Sequence, residues 1–339
     1  ARAIRILKNS FVFGNSEIIE INFVNINFYR KLLFFYSAIT SRQKKTYLIH
    51  SIFNMHSLIL LLLCRNNDIL LMSHGELLDE ALKLKTMKKI IMLSILKFAN
   101  YLLRNKFFLI CSGQEEVENL ARYVKINNSA IIQDLVEEEM LLNHTRSQPK
   151  NSSINAVLIC RLVKNKGVNT LLKKIIEAKK KNCSSAFITN LCSIRLFLVI
   201  EDLAEYELLK NNIKILIENF GIEVILKENL NHHEIKIAID EIENKVSIIP
   251  SKFESFSNVL IETLNFEFIP VVWFHNQLVE KLNIEGLCVP LAYGVLPENL
   301  IPNKSIDNVT NFIEKLRSDS EVQLCAFMGQ FASKLGRTI

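Results

Sequence analysis

Apolar and polar positions alternate along this chain in two periods, and the switches between them set out its elements. Short apolar runs bounded by polar turns read as buried strands near Glu17–Ile21, Lys45–His50, Asp68–Ser73, Phe107–Cys111 and Ala130–Gln133. Between them, apolar residues at spacings of three and four predict helices near Tyr29–Ala38, Met55–Arg65, Glu80–Arg104 and Gln114–Tyr123. The polar, helix-breaking stretch Ser147-Gln-Pro-Lys-Asn-Ser-Ser-Ile-Asn155 reads as a linker. A second series starts at Ala156, with strands near 156–160, 194–200, 222–226, 245–249 and 269–273. Amphipathic helices near 306–318 and 320–334 close it. Strands of uninterrupted apolar residues alternating with helices point to parallel sheets covered on both faces. The expected domains are 1–148 and 149–339.

Composition narrows this picture. A chain of 339 residues that is 49% hydrophobic can bury two cores. Its nine glycines are few for α/β domains that turn tightly from strand to helix. The seven cysteines (64, 111, 160, 183, 192, 288, 325) form no C-x₂-C pair and read as free thiols of a reducing cytosol. The longest purely apolar run, Leu58–Cys64, is too short to span a bilayer.

Charge adds an asymmetry. Residues 1–110 carry 16 Lys/Arg against 6 Asp/Glu, a net of +10, and the remainder carries 25 against 29, a net of −4. Much of the excess lies in 81–106, where Lys83, Lys85, Lys88, Lys89, Lys97, Arg104 and Lys106 are interleaved with apolar residues. That pattern reads either as an anionic membrane surface element or as a solvated helix over the sheet. No recognition motif for nucleic acid accompanies the charge.

The richest chemistry lies in Lys245-Val-Ser-Ile-Ile-Pro-Ser-Lys-Phe-Glu-Ser-Phe-Ser-Asn-Val-Leu-Ile-Glu262. A strand ends at Pro250-Ser251, a short turn follows, and a helix is predicted from near Ser255. Glu254 and Glu262 are eight positions apart, a little over two turns, so both can face one cleft. First-turn amides between them suit a diphosphate, and the carboxylates suit sugar hydroxyls. A second segment is a strand, Ala156-Val-Leu-Ile-Cys160, leading through Arg161-Leu-Val-Lys-Asn-Lys166-Gly167 into a helix. A third is the strand from Asp68 that ends in Ser73-His74-Gly75-Glu76-Leu77. A histidine at a strand's carboxyl end is correctly placed for a site in an open α/β sheet. His50, ending the preceding strand, is its rival. His232-His233-Glu234 reads as surface, because adjacent histidines point apart and no further ligands accompany them.

Together these segments resemble the retaining glycosyltransferases of family 4: the E-x₇-E signature, the G-R-L-x-x-x-K-G segment about 90 residues earlier, and the "phGEls" stretch of a branch making bacterial surface polysaccharides. The resemblance implies a GT-B fold, two Rossmann-like doubly wound domains facing a cleft. It implies transfer of a hexose-type sugar, with retention, from a nucleoside diphosphate sugar to a saccharide acceptor, with a lipid-linked oligosaccharide at the inner membrane face as the expected form. No metal and no cofactor are expected, and the protein is expected to be cytoplasmic or peripheral on that membrane.

By the same resemblance Arg161 and Lys166 would stabilise the leaving diphosphate, Glu254 would hold sugar hydroxyls, Glu262 the ribose, and His74 would orient donor and acceptor across the cleft. Ser255, Phe256, Ser257 and Asn258 complete the implied donor site.

The chain also departs from the family. It reads as beginning after the first strand and Gly-rich loop. Cys160, Ser257 and Glu267 stand for glycines, Ile200-Glu201-Asp202 for a G-x-G, and Val271–Leu278 lacks a glycine pair. These departures leave open a second reading, a non-catalytic relative acting as a binding or partner subunit. A nicotinamide-dependent dehydrogenase is excluded by the lack of any G-x-G-x-x-G.

Overall fold

The computed structural model describes residues 18–21, 45–63, 67–83, 86–103, 106–125, 128–132, 153–242, 245–254, 257–266 and 268–298, with separate positions between 311 and 326. The expected helix at 29–38 lies outside them, as does most of the closing pair. The chain forms two compact units, Ala1–Leu135 with Leu316–Ile339, and Val136–Lys315. The expected boundary at 148/149 lies outside the described residues; Leu316, which belongs to the first unit, is buried.

In the first unit the described strands are β1 (Ile18–Ile21), β2 (Thr46–His50), β3 (Asp68–Met72), β4 (Phe107–Cys111) and β5 (Ser129–Ile131), all parallel in the order β1-β2-β3-β4-β5. Every residue of β3 and β4 is buried, as expected of strands covered on both faces. Helices α1 (Met55–Leu63), α2 (Asp79–Lys83), α3 (Thr86–Leu103) and α4 (Gln114–Ala121) connect them. Of the helix expected over 80–104, the described residues show α2 and α3. The Lys89 ammonium, on α3, donates to the Ala81 carbonyl of α2.

The second unit follows the same principle with a different winding. Its strands are β6 (Ile154–Leu162), β7 (Leu191–Ile200), β8 (Glu223–Glu228), β9 (Lys245–Ile249), β10 (Ile269–Val272) and β11 (Val289–Pro290). Helices α5 (Val168–Lys180), α6 (Ala186–Asn190), α7 (Leu203–Phe220), α8 (His232–Asp240), α9 (Asn258–Asn265) and α10 (Gln277–Ile284) alternate with them. β6 begins two residues before the expected linker ends. Ile154 is buried there, and the Asn155 side chain accepts from the Ser193 hydroxyl at 2.6 Å.

Alternation along β6 and β7 supplies both cores: Ala156, Leu158, Leu196 and Leu198 pack on one face, Val157 and Phe197 on the other. All pairings are parallel, in the order β11-β10-β9-β6-β7-β8. Read from β6 this is the 3-2-1-4-5-6 winding of a Rossmann domain. The chain runs outward through β7 and β8, then returns to the other side of β6 at β9. The loops after β6 and β9 lie side by side at that reversal, at the carboxyl ends of the strands, the usual place for a ligand in such sheets.

Candidate functional site

Three backbone features bind the loops after β6 and β9 together. Residues Lys164–Lys166 make one turn of 3₁₀ helix, and Gly167 then takes a left-handed conformation (φ 69°) to enter α5. A Cβ on Gly167 would stand 2.0 Å from the Pro250 carbonyl oxygen, so glycine is required here by space as well as by φ. The Lys252 amide donates to the Asn165 carbonyl at 2.8 Å.

On this frame the Lys166 ammonium pairs with the Glu254 carboxylate, 88 positions later, with both side chains largely buried. The Ser251 hydroxyl donates to the same carboxylate oxygen at 2.7 Å. The loop after β10 joins from the other side: the Asn276 amide donates to the Glu254 carbonyl at 3.2 Å while its oxygen caps α10 through the Val279 amide. Burial pushes the Cys160 thiol up to about 12 although Lys166 and Arg161 pull it down, so a neutral thiol lies beside the pair.

Arg161 is at the carboxyl end of β6 but goes elsewhere. One guanidinium nitrogen lies 3.3 Å and 3.5 Å from the two oxygens of Glu201, just past the end of β7, in an exposed pair. The structure thus unites Lys166 with Glu254, and Arg161 with an acid that the sequence reading noted only as the middle of a segment standing for G-x-G.

The helix after β9 also differs from expectation. It starts at Asn258, because Ser257 is extended and its hydroxyl accepts from the Leu260 amide at 3.3 Å, making Ser257 the N-cap. Glu254 therefore lies four positions before the helix, and Glu262 lies in its second turn, half-buried. Asn258 is exposed at the first helical position, and Ser255 and Phe256 lie outside the described residues.

In the first unit His74 and His50 end adjacent parallel strands, with His50 in register with Met72. They are not alternatives: His50 Nδ1 lies 2.7 Å from His74 Nε2, with the ring planes within 15°. Two acids that the sequence reading passed over hold their loops. Glu76 accepts from the Ser51 hydroxyl at 2.5 Å and the Ile52 amide at 2.6 Å, and its burial raises its pKa against these bonds. Glu116, fully buried, accepts from the hydroxyls of Ser73 and Ser112 at 2.8 Å. The signal for Glu116 was its place in the first turn of α4, just past Ser112-Gly113. His233 is exposed, and Glu234 forms a capping box with Asn231, the surface role expected. Among the described residues no group of three or more His, Cys, Asp or Glu side chains could hold a metal ion.

No protein-family model matches this sequence, and no curated protein matches it. Solved structures match its fold. The trehalose-6-phosphate synthase OtsA superposes with a TM-score of 0.64 at 11% identity, covering 92% of this chain and 76% of its own. An α,α-trehalose-phosphate synthase (UDP-forming) from Burkholderia xenovorans, in complex with glucose-6-phosphate, gives 0.57 at 10% identity, covering 90% and 73%. Sucrose-phosphate synthase from Thermosynechococcus elongatus gives 0.52 at 14%, covering 86% and 72%. At such identities the likeness establishes architecture, and that architecture is GT-B: two Rossmann-like units, each built on a parallel sheet.

Proposed function

We propose that this chain is a retaining glycosyltransferase that moves a hexose-type sugar from a nucleoside diphosphate sugar to a saccharide acceptor. The observation that carries this reading is the meeting of Lys166 and Glu254 at the reversal point of a Rossmann sheet. A buried cation beside a carboxylate there suits the two halves of such a donor: the ammonium takes the diphosphate, the carboxylate the sugar hydroxyls. Arg161 adds a second cation once it leaves Glu201. Glu262, in α9, is assigned the ribose, with Ser255, Phe256, Ser257 and Asn258 at the start of that segment. His74 is assigned the sugar in the first unit. The GT-B neighbours described as UDP-forming, and as transferring with retention, support the same reaction class. The E-x₇-E spacing and the Ser-His-Gly-Glu-Leu segment favour family 4 and a surface-polysaccharide role within it.

The acceptor is proposed to be lipid-linked, reached from a membrane surface. Helix α3 supports this: it exposes Met87, Ile90, Ile91, Phe98 and Tyr101 along one stripe, flanked by exposed Lys88 and Lys97, and contains no acidic residue. The apolar side chains suit the acyl boundary and the lysines an anionic headgroup layer. Among the described residues no helix is long and apolar enough to cross a membrane, so a peripheral cytoplasmic placement is the form proposed.

A second reading, a non-catalytic relative that keeps the fold, is favoured by the Arg161–Glu201 pair, which occupies a cation the donor would need. Thermal shift of the full chain with UDP-, GDP- and ADP-sugars separates the two. A donor present at about 100 times its Kd adds roughly 2.7 kcal/mol to the native state, and that raises the midpoint. No rise with any of the three removes the transferase reading.

A further inference from the structure

The loop that follows β3 holds one side chain outward at a cost in backbone strain. His74 (φ 47°) and Gly75 (φ 80°) are both left-handed, and so is Ser51 (φ 77°) at the end of β2. For non-glycine residues that conformation costs about 1–2 kcal/mol each, so it persists only where the surroundings over-determine it. They do so from two sides. Below, Glu116 accepts from the Ser73 hydroxyl and the Leu77 amide, and the Asn119 amide donates to the Leu77 carbonyl. Laterally, Glu76 bonds the hydroxyl of Ser51 and the amides of Ile52 and Phe53. Buried carboxylates thus clamp two strained turns, and the clamp brings His50 Nδ1 to 2.7 Å from His74 Nε2. His74 itself is exposed.

We infer that His50 is a positioning residue for His74, and that the two imidazoles act as one unit presenting the Nδ1 edge of His74 to a hydroxyl of the sugar substrate. Its substrate side rests on the glycosyltransferase reading. Two imidazoles joined nitrogen to nitrogen share a single bridging hydrogen. If His50 Nδ1 donates, His74 carries its own hydrogen on Nδ1 and offers a donor to a hydroxyl oxygen. If His74 Nε2 donates, its Nδ1 is bare and accepts a hydroxyl hydrogen. In both cases the bond fixes which ring edge faces outward and ties the tautomer of His74 to that of His50, as an orienting partner does for a metal-bound or catalytic histidine. Register explains why the partner is His50: a parallel pairing of β2 with β3 brings the carboxyl ends of both strands to one edge.

The test uses the full chain labelled with ring-¹⁵N histidine, with His74→Ala to assign the signals. His50→Leu removes the partner. His50→Asn restores an amide nitrogen near the place of Nδ1. The expected result is a changed balance of Nδ1–H and Nε2–H forms of His74 in His50→Leu, returned toward the parent by His50→Asn, with a similar unfolding midpoint for both. Release of the nucleoside diphosphate (UDP from UDP-glucose, or GDP or ADP where the thermal screen selects such a donor) should then fall about 10-fold in kcat with little change in donor KM for His50→Leu, the low end of the loss of an orienting partner. His50→Asn should recover most of it. A His74 tautomer balance indifferent to His50→Leu overturns the inference. So does a loss of kcat that His50→Asn fails to recover. The spectra need no substrate, so a chain that turns over none of these donors defeats the transferase reading while the ring signals still decide the pairing.

Discussion

The guanidinium of Arg161 reaches Glu201 at 3.3 Å, whereas the ammonium of Lys166, on the loop that follows, reaches Glu254. Both cations assigned to the donor diphosphate are therefore already matched by carboxylates, in environments that differ. The Arg161 pair is largely exposed, the Lys166 pair largely buried. An exposed pair contributes roughly 0–1 kcal/mol and is readily exchanged for a stronger anion.

Glu201→Gln should accordingly free Arg161 at little cost. The expected outcome is a two- to five-fold tighter Kd for UDP by titration calorimetry, about the worth of one exposed pair, with little change in unfolding midpoint. Weaker UDP binding in this variant would mean that Arg161 needs Glu201 to hold its position.

The buried pair predicts the opposite. Lys166→Met leaves the Glu254 carboxylate with the Ser251 hydroxyl in a largely closed setting, at a cost of about 3 kcal/mol in urea denaturation. Glu254→Gln added to it should recover about half or more, because no uncompensated charge then remains. Strictly additive losses would show that the two side chains do not interact.

Gly167 and Gly221 make a matched test of space against conformation. Both are left-handed, at φ 69° and 63°, but a Cβ at Gly221 meets nothing within 4 Å while one at Gly167 meets the Pro250 carbonyl at 2.0 Å. Gly221→Ala should cost about 1 kcal/mol and Gly167→Ala clearly more, about 3 kcal/mol or above, since backbone must move. Equal costs would mean that the two loops are not in contact.

Much of this arrangement was legible in the sequence. β6 and β9 were legible as apolar runs, and the resemblance implied that Lys166 and Glu254 serve one site, where the structure pairs them. What escaped were relations that no single segment encodes. Glu201 registers along the chain only as the middle of a segment standing for G-x-G, and its meaning comes from β7 lying beside β6. His50 and His74 competed for one role because nothing local states that their strands are neighbours in register. The start of α9 escaped because a serine's capping role depends on its backbone being extended, which Ser257 shows only in the structure.

Glu76 predicts a pH dependence. Burial raises its folded pKa above the ordinary glutamate value of 4.5, so the native state binds a proton more tightly there than the unfolded chain does. Its contribution to stability is full below 4.5 and is lost as pH rises through the raised folded value. Glu76→Gln should flatten this part of the curve of stability against pH, measured by denaturant midpoint from pH 4 upward. A parent and variant that fall in parallel across the window would remove Glu76 as the source.

For the membrane face, Ile90→Ser with Phe98→Ser should leave the unfolding midpoint nearly unchanged, since both side chains are exposed. Sedimentation with vesicles containing anionic lipid should drop several-fold, and added salt should reduce binding of the parent, as screening contracts to about 8 Å at physiological ionic strength. Indifference of the parent to lipid charge and salt would end the proposal.

The winding of the second sheet carries a consequence in time. β6 sits at its centre, yet one of its two neighbours is β9, made only after β7, β8 and the helices between them. A chain emerging from the ribosome can pair β6 with β7 and β8 early, through contacts close in sequence, while the other edge of β6 waits unpaired. Closing that edge joins segments about 90 residues apart and comes late on entropic grounds. Lys166 and Glu254 meet only at that step. The candidate site is thus the seam along which the domain closes, and its assembly would report that folding of the sheet is complete.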